Sequence, residues 1–565
     1  MKLTLLALAA TALALPAAEA PVQCPGTFKA IDASAFIHAL TPGWNLGNTL
    51  DAVPDEGSWN NPPVVPTVLD DIKKAGFKSV RLPITWTTKI GPAPDYTVDA
   101  KWLDRVAAVT DMATSRGFYV VLNVHHDSWQ WFDFTAGGAD VKAIEDKFRA
   151  LWTQIGQKLA CAGPEVAFEP INEPKGTTKE HADILNRMNG VFLEAIAAAG
   201  GHNVQRVVTL VGLGEDGPKT SQWFKVPPGI KNPWALQYHY YSPYDFIFGA
   251  WGKTVWGSAE DKAALEADIA AVRGNFTNVP LVIGEWSAGA TVEPGARWRY
   301  FDAFSQAAKK YDTATILWDN GDDFLDRAAR TIRDPTGKEV YFNAARGVRN
   351  ALPDGTTDPK ATTQTSSAFV FHKLGQPVKE STITFELNGN TVKSVTGPDG
   401  ALVAPRDYAV RGSGVAFTPA FLGKYFATTG PAGVRANLTV SFSAGADVRV
   451  QLVQWDVPVL GAKSSQAVSG ADLHIPVTWK GLPKIAAVKA RFSDQSYLAD
   501  DWTKYLGPLQ QGYVTYNNHW NWDGKSVILT KGAVDAVTSK KMAATFTFEF
   551  FPRQPGNSVE YTLTA

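Results

Sequence analysis

Cysteine is scarce. Cys24 and Cys161 are the only two in 565 residues, which excludes a disulfide-built scaffold and leaves room for at most one bridge. Charge of one sign is missing as well: 54 Lys and Arg stand against 55 Asp and Glu, a formal net charge of -1. Without a basic run, the electrostatic footprint of a nucleic-acid binder is absent. Beyond the first residues no apolar run reaches the roughly 20 residues that a membrane-spanning helix needs, so no membrane partner is expected. Neither the Gly-x-Ser-x-Gly elbow of serine hydrolases nor a zinc spacing around His125-His126-Asp127 occurs. No metal and no cofactor is therefore expected.

What is present begins with Met1-Lys2, an apolar run over 3–15 and the small residues Ala17, Ala18 and Ala20. This is the layout of a signal peptide over 1–20 and predicts a secreted, extracellular protein. The length favours two to four domains. From 42 to about 352, short apolar runs alternate with helix-compatible stretches. Strands are predicted over 42–46, 79–84, 119–124, 166–171, 206–211, 234–238, 280–283 and 313–317, and helices over 99–117, 141–160, 179–199, 259–273 and 296–310. Eight such alternations predict an α/β fold, a (β/α)8 TIM barrel spanning 21–352. The Thr, Ser, Pro and Asp of 353–366 read as a linker. Alternating strands with an Asn388-Gly389 turn predict an immunoglobulin-like β-sandwich over 367–459, and 463–565 reads as a second β-sandwich.

Parallel barrels carry their chemistry at the C-terminal strand ends. There the chain places Arg81, His125-His126-Asp127, Asn172-Glu173, His239-Tyr240-Tyr241, Glu285 and Trp318. Each alone has a structural explanation; six strands capped by ionisable or aromatic groups do not. Two carboxylates facing across a mouth are the requirement for glycosidic cleavage. Glu173 is assigned as general acid/base, its proton retained by the charge of Glu285, and Glu285 as nucleophile, kept ionised by Arg81 and Tyr241. Asn172 is expected at the sugar 2-hydroxyl, His239 against Glu173 or the substrate, and His125 and His126 at sugar hydroxyls. The chain has 19 tryptophans. Those in loops after strands, Trp59, Trp86, Trp129, Trp131, Trp251 and Trp256, are candidate sugar platforms.

The segments Gly43-Trp44-Asn45-Leu46-Gly47-Asn48-Thr49-Leu50-Asp51, Val80-Arg81-Leu82-Pro83, Asn123-Val124-His125-His126-Asp127, Phe168-Glu169-Pro170-Ile171-Asn172-Glu173-Pro174, His239-Tyr240-Tyr241-Ser242-Pro243 and Gly284-Glu285-Trp286 together resemble glycoside hydrolase family 5. The opening motif, with Trp318-Asp319-Asn320-Gly321, resembles its subfamily 4, mostly endo-β-1,4-glucanases. The resemblance implies the same two glutamates as catalytic, with supporting roles for Arg81, His125, Asn172, His239, Tyr241 and Trp318. Asn45 of the opening motif, His126 and Trp256 complete the expected substrate-binding set. Residues 367–459 resemble the X-type spacer modules of cellulases, and 463–565 are similar to carbohydrate-binding module family 46, which implies Trp502, Trp520 and Trp522 as its candidate sugar platforms.

The expectation is a secreted, monomeric, retaining endo-β-1,4-glucanase whose partner is a β-glucan polysaccharide: cellulose, mixed-linkage glucan or xyloglucan. The alternatives are an endo-β-1,4-mannanase on the same fold and a non-catalytic carbohydrate-binding protein.

Overall fold

The computed structural model describes residues 21–565; the expected signal peptide lies outside them. Eight strands, β1 (Gly43–Asn45), β2 (Ser79–Leu82), β3 (Tyr119–Asn123), β4 (Val166–Glu169), β5 (Val208–Asp216), β6 (Trp234–Tyr240), β7 (Leu281–Trp286) and β8 (Thr313–Leu317), close in chain order into a barrel. Every neighbouring pair is parallel. The strands are buried on both faces, so they read as apolar runs rather than alternating ones.

The barrel floor is plugged by the helix Ala33–Leu40. Phe36, Ile37 and Leu40 pack against the small inward residues Val121, Ala167, Ala235, Val282 and Ala314. Asp32 caps that helix by accepting from the Ser34 and Ala35 N–H groups. Outer helices start on caps of the same kind: Asp140, Thr178 and the Ser258–Asp261 capping box. Cys24 and Cys161 are bonded to each other, fastening the segment before the plug to the end of the helix Val141–Lys158. Among the described residues no helix is long and apolar enough to cross a membrane.

Strand pairing is irregular where β5 meets β6, β6 meets β7, and β7 meets β8, each time near the C-terminal ends. Such shifts re-aim side chains. They deliver His239 beside Glu285 in register.

Two sandwiches follow. The first pairs a four-stranded sheet containing Leu352–Pro353 and Ser381–Glu386 with a five-stranded sheet containing Phe369–Lys373, Gly433–Phe442 and Val448–Trp455. The second pairs a sheet of Val459–Leu460, Leu473–Thr478, Trp520–Trp522 and Ser526–Leu529 with one built on Ile485–Phe492, Ala544–Phe550 and Ser558–Thr564. It also holds the helix Lys531–Lys540, which buries Ala533, Val534 and Val537. Sequence reading did not expect this helix, because three small apolar residues within a Thr- and Val-containing stretch suit strand and helix equally.

Segment 353–366, expected as a linker, runs docked along the domains it joins. Pro353 pairs with Phe385 in the first sandwich. The buried Gln364 accepts from Thr254 Oγ1 at 2.7 Å, and its backbone N–H donates to the Arg553 carbonyl. Polar side chains replaced an apolar face as the means of docking. The buried Arg553 donates to the carbonyls of Gly252 and Leu509, and Lys484 to that of Val292 at 3.1 Å. The C-terminal module thereby sits against the barrel loops rather than swinging free.

Candidate active site

Arg81 organises the barrel mouth. Its side chain is completely buried, and its fork is fully used. Nε and Nη2 donate to the two oxygens of Glu169 at 2.7 Å each, Nη1 to Glu285 Oε1 at 2.5 Å and Asn45 Oδ1 at 2.9 Å, and Nη2 also to Asn172 Oδ1 at 2.8 Å. A buried guanidinium survives only with such partners. Burial alone would lower its pKa, but Glu169 and Glu285 hold it well above the ordinary value. Asn172 is thus oriented with its oxygen spent on Arg81 and its amide free to donate.

Glu285 receives a second hydrogen bond, 3.0 Å, from the Tyr241 hydroxyl. Burial and the Glu285 charge hold that phenol well above its ordinary pKa, so it remains a donor. A Cβ on the preceding Gly284 would fall 2.7 Å from the Gln237 side chain, so a residue without one is what lets β6 and β7 approach here. Across the mouth Glu173 stands at φ 42, in the left-handed region. Its Oε1 lies 2.9 Å from His239 Nδ1, and His239 Nδ1 is 3.7 Å from Glu285 Oε2. Oxygen atoms of Glu173 and Glu285 approach within 4.8 Å of each other.

His239 decides where the charge sits. Burial lowers its pKa, yet Glu215, Glu285 and Glu173 outweigh that and raise it to about 9. Burial raises Glu173, but the His239 hydrogen bond and charge, with Arg81 behind, bring it below the ordinary range. Burial leaves Glu285 above the ordinary range against the pull of His239 and Arg81. The charge of Glu285 is expected to keep a proton on Glu173; the His239 hydrogen bond and charge act the other way and outweigh it. His239 faces three carboxylates at once, and their charge favours its protonated form, an arrangement no linear motif displays.

His125 lies beneath Trp318, rings parallel within 6° at 6.0 Å. The Asn123 amide is oriented by Ile84 N–H donating to its oxygen, and its nitrogen donates to His125 Nδ1 at 3.0 Å. The proton of this imidazole therefore sits on Nε2, which faces Glu285 Oε1 at 4.0 Å. Burial, followed by His126 and Arg81, pushes its pKa well below the ordinary value, so the ring is neutral. Buried His126 is flanked by Trp59 and Trp129, with ring centroids 5.3 and 4.2 Å away; its nitrogens make no hydrogen bond to protein, and Nε2 stands 3.5 Å from Asp51 Oδ2.

Other expected residues sit elsewhere. Asn45 is fully buried, donating to the carbonyls of Gly284, Ile316 and Leu317 while accepting from Arg81. It braces β1 against its neighbours and cannot reach a sugar. Trp256, 1% exposed, packs on Phe246 and Tyr300 in the core. Trp86 is buried with its indole N–H given to the Asn123 carbonyl, and Trp520 is also core. Trp59, Trp129 and Trp502 are the exposed ones, at 40%, 48% and 44%. Half-buried Trp251 meets Trp502 edge-on at 4.6 Å and donates to Asp500.

Two carboxylates at the site escaped sequence reading: Glu169, the principal partner of Arg81, and Glu215 at the end of β5. Beside Tyr241 and Trp318 a cavity of about 510 Å³ is lined from the barrel by Tyr244 and Phe248 and from the C-terminal module by Thr515, Tyr516, Asn517 and Asn518. A cavity of about 520 Å³ at the opposite barrel face, beside His38, Lys78 and Asp312, has no carboxylate pair.

Residues 44–324 match the family model described as Cellulase (glycosyl hydrolase family 5), and residues 364–452 match Carbohydrate binding domain X2. Endoglucanase B of Paenibacillus lautus is 30% identical over 472 residues, covering 79% of this chain and 79% of that protein. The crystal structure of a tri-modular GH5 (subfamily 4) endo-β-1,4-glucanase from Bacillus licheniformis superposes with TM-score 0.83 at 35% identity, covering 94% of this chain and 99% of the other. The same enzyme complexed with cellotetraose gives 0.84 with the same identity and coverage.

Proposed function

The chain belongs to glycosyl hydrolase family 5 and is an endo-β-1,4-glucanase; from that premise we propose that it works outside the cell and cleaves internal bonds of β-glucans with retention of configuration. The observation that carries the stereochemistry is the approach of the Glu173 and Glu285 oxygens within 4.8 Å. Retaining enzymes hold their carboxyl groups about 5 to 5.5 Å apart, whereas inverting ones leave roughly 6.5 to 9.5 Å for a water.

In the first half-reaction Glu285 attacks the anomeric carbon, the bond from that carbon to the glycosidic oxygen breaks, and Glu173 protonates the departing oxygen. Arg81 and Tyr241 fix the attacking carboxylate. The Asn172 amide is free to donate to the 2-hydroxyl, a contact that strengthens as charge develops. In the second half-reaction water adds to the same carbon, Glu173 takes its proton, and Glu285 leaves as carboxylate. The proton for the first step comes from the Glu173–His239 pair, whose 2.9 Å separation lets it pass from Nδ1 to Oε1 when the leaving oxygen demands it.

The substrates proposed are cellulose, mixed-linkage glucan and xyloglucan. The open cleft supports this range, with Trp59 and Trp129 beside His126 and the C-terminal residues Thr515 to Asn518 facing Tyr241 and Trp318. Such a cleft suits a chain that continues at both ends. Secretion is supported by the residues 1–20 and by the Cys24–Cys161 bond, which belongs to an oxidising compartment. Proton NMR of a cello-oligosaccharide digest tests the stereochemistry. The β-anomer of the new reducing end should appear first; initial release of the α-anomer would overturn the assignment.

A further inference from the structure

Glu215 has no part in the chemistry so far, yet it is wholly buried at the end of β5. It adopts φ 49, in the left-handed region, directly after Gly214 at φ 65. A non-glycine residue holds that conformation only where its surroundings impose it. Its carboxylate accepts from the backbone N–H of Glu173 at 2.9 Å and from Gln237 Nε2 at 2.8 Å. Its Oε2 also stands 3.1 Å from His239 Nε2. That approach is off the ring N–H direction, a charge contact rather than a straight hydrogen bond. His239 is therefore held between Glu173 on Nδ1 and Glu215 on Nε2.

We propose that Glu215 is a positioning residue which, through His239, keeps a proton loaded on the Glu173–His239 pair and so sets the alkaline limit of the reaction. The inference rests on Glu173 being the acid/base. With Glu215 ionised, a proton on Nε2 faces its charge and the proton shared between Nδ1 and Glu173 Oε1 is the one delivered. The groups around this pair are Arg81 from β2, His125 and His126 after β3, Glu169 from β4, Tyr241 after β6 and Glu285 from β7. Arg81 is committed to Glu169 and Glu285, His125 is neutral and Tyr241 is a neutral donor. Glu215 is thus the carboxylate on the far side of His239, with no cation hydrogen-bonded to it and Arg81 acting on it only at a distance. Burial raises its own pKa, and with His239 opposing and Glu169 assisting it reaches about 7, so it ionises across the neutral range. Behind it a cavity of about 420 Å³, also lined by Asp216, Tyr240 and Asp268, has room for waters that reload the pair.

The sign is fixed. Removing a negative charge beside the pair loosens its proton, so the pair empties at lower pH. In Glu215→Gln, which keeps the shape and the acceptor for Glu173 N–H, the alkaline limb of kcat/KM on cellopentaose should move down by about one pH unit. Glu215→Asp should return it part of the way. The same displacement should appear in the His239 imidazole titration followed by nitrogen-15 NMR. An unmoved limb in a folded Glu215→Gln protein would overturn the proposal, because a purely structural role would change the rate equally at every pH. Should that variant fail to fold, the wild-type titration decides: His239 titrating near 6.5 defeats the proposal. Failure of the underlying reading is seen separately, as Glu173→Gln turning over cellopentaose like wild type.

Discussion

Arg81→Lys is the perturbation whose consequence is easiest to work from the geometry. Lysine keeps the charge but replaces a planar fork by one ammonium at the end of a flexible stem. Arg81 makes two hydrogen bonds to Glu169, one to Glu285, one to Asn45 and one to Asn172. An ammonium in this space satisfies the fully buried Glu169 first, since that carboxylate has the most to lose. Glu285 then keeps Tyr241 but loses its charge-assisted partner, worth about 1.5–3 kcal/mol. Taking about 2 kcal/mol, kcat/KM should fall roughly 30-fold. A second effect follows from the same loss. Glu285 must be ionised to attack, and its carboxyl already sits above the ordinary range from burial. Without the guanidinium it rises further, so activity is lost at a higher pH on the acidic side, by about one unit. The assay is a pH series of initial rates on an aryl β-cellobioside, with circular dichroism to verify folding. A fall smaller than threefold with the acidic limb unmoved would show that Arg81 does not support the nucleophile.

Glu285→Ala should leave no measurable turnover on any glucan while the thermal transition stays within a few degrees of wild type. Glu173→Ala should differ from it: an activated aryl leaving group needs no acid, so the first half-reaction proceeds and mass spectrometry should detect a glycosyl adduct on Glu285. Trp502→Ala and Tyr516→Ala should reduce activity on xyloglucan and mixed-linkage glucan several-fold and leave an aryl cellobioside within twofold, because neither side chain is hydrogen-bonded to Glu173 or Glu285; equal losses on both substrates would contradict this. Cys24→Ser with Cys161→Ser opens a loop of 137 residues, for which loop closure alone gives about 5 kcal/mol and measured bridges typically 2–4 kcal/mol. Calorimetry should show a lower Tm, with kcat unchanged because the bridge is at the floor and the chemistry at the mouth.

The barrel was legible because burial on both faces makes each strand an apolar run, and because chemistry concentrates at one end of those runs. Glu173, Glu285, Arg81, His239 and Tyr241 could be collected by reading each strand to its end. Strand five broke that procedure: its expected run ends at 211, before Gly212 and Gly214, and Glu215 falls outside it. In the structure β5 continues to Asp216 with an irregular register against β6. Glu169 was hidden for the opposite reason: the expected run continues to 171, which places Glu169 within it, whereas β4 ends at Glu169. Tryptophan placement was poorly legible, since Trp86 and Trp256 follow strands just as Trp59 and Trp129 do. Which of them faces water depends on how loops fold over one another. The last sandwich was recognised by alternation, whereas its docking through Arg553, Lys484 and Gln364 uses polar groups on three separate segments, for which one-dimensional patterning carries no sign.

Around Glu173 and Glu285 stand two further carboxylates, Glu169 and Glu215, and the cations hydrogen-bonded to the catalytic pair are Arg81 and His239; the way these divide explains why two chemically identical side chains take different roles. Arg81 is bound to Glu169 and Glu285, and a guanidinium cannot release its proton in this pH range. The carboxylate it faces is compensated by a fixed charge and can act only through its electron pair, as a nucleophile does. His239 stands between Glu173 and Glu215, and an imidazole can give and regain a proton. The carboxylate it faces is compensated by a mobile charge, so it can donate in one half-reaction and accept in the next. Exchanging the two cations while keeping both glutamates would bring the imidazole, whose Nδ1 now stands 3.7 Å from Glu285 Oε2, into hydrogen-bond contact with the nucleophile and strand the acid beside a proton that never moves. The assignment of roles thus lies less in the glutamates than in the permanence of the cation each one faces.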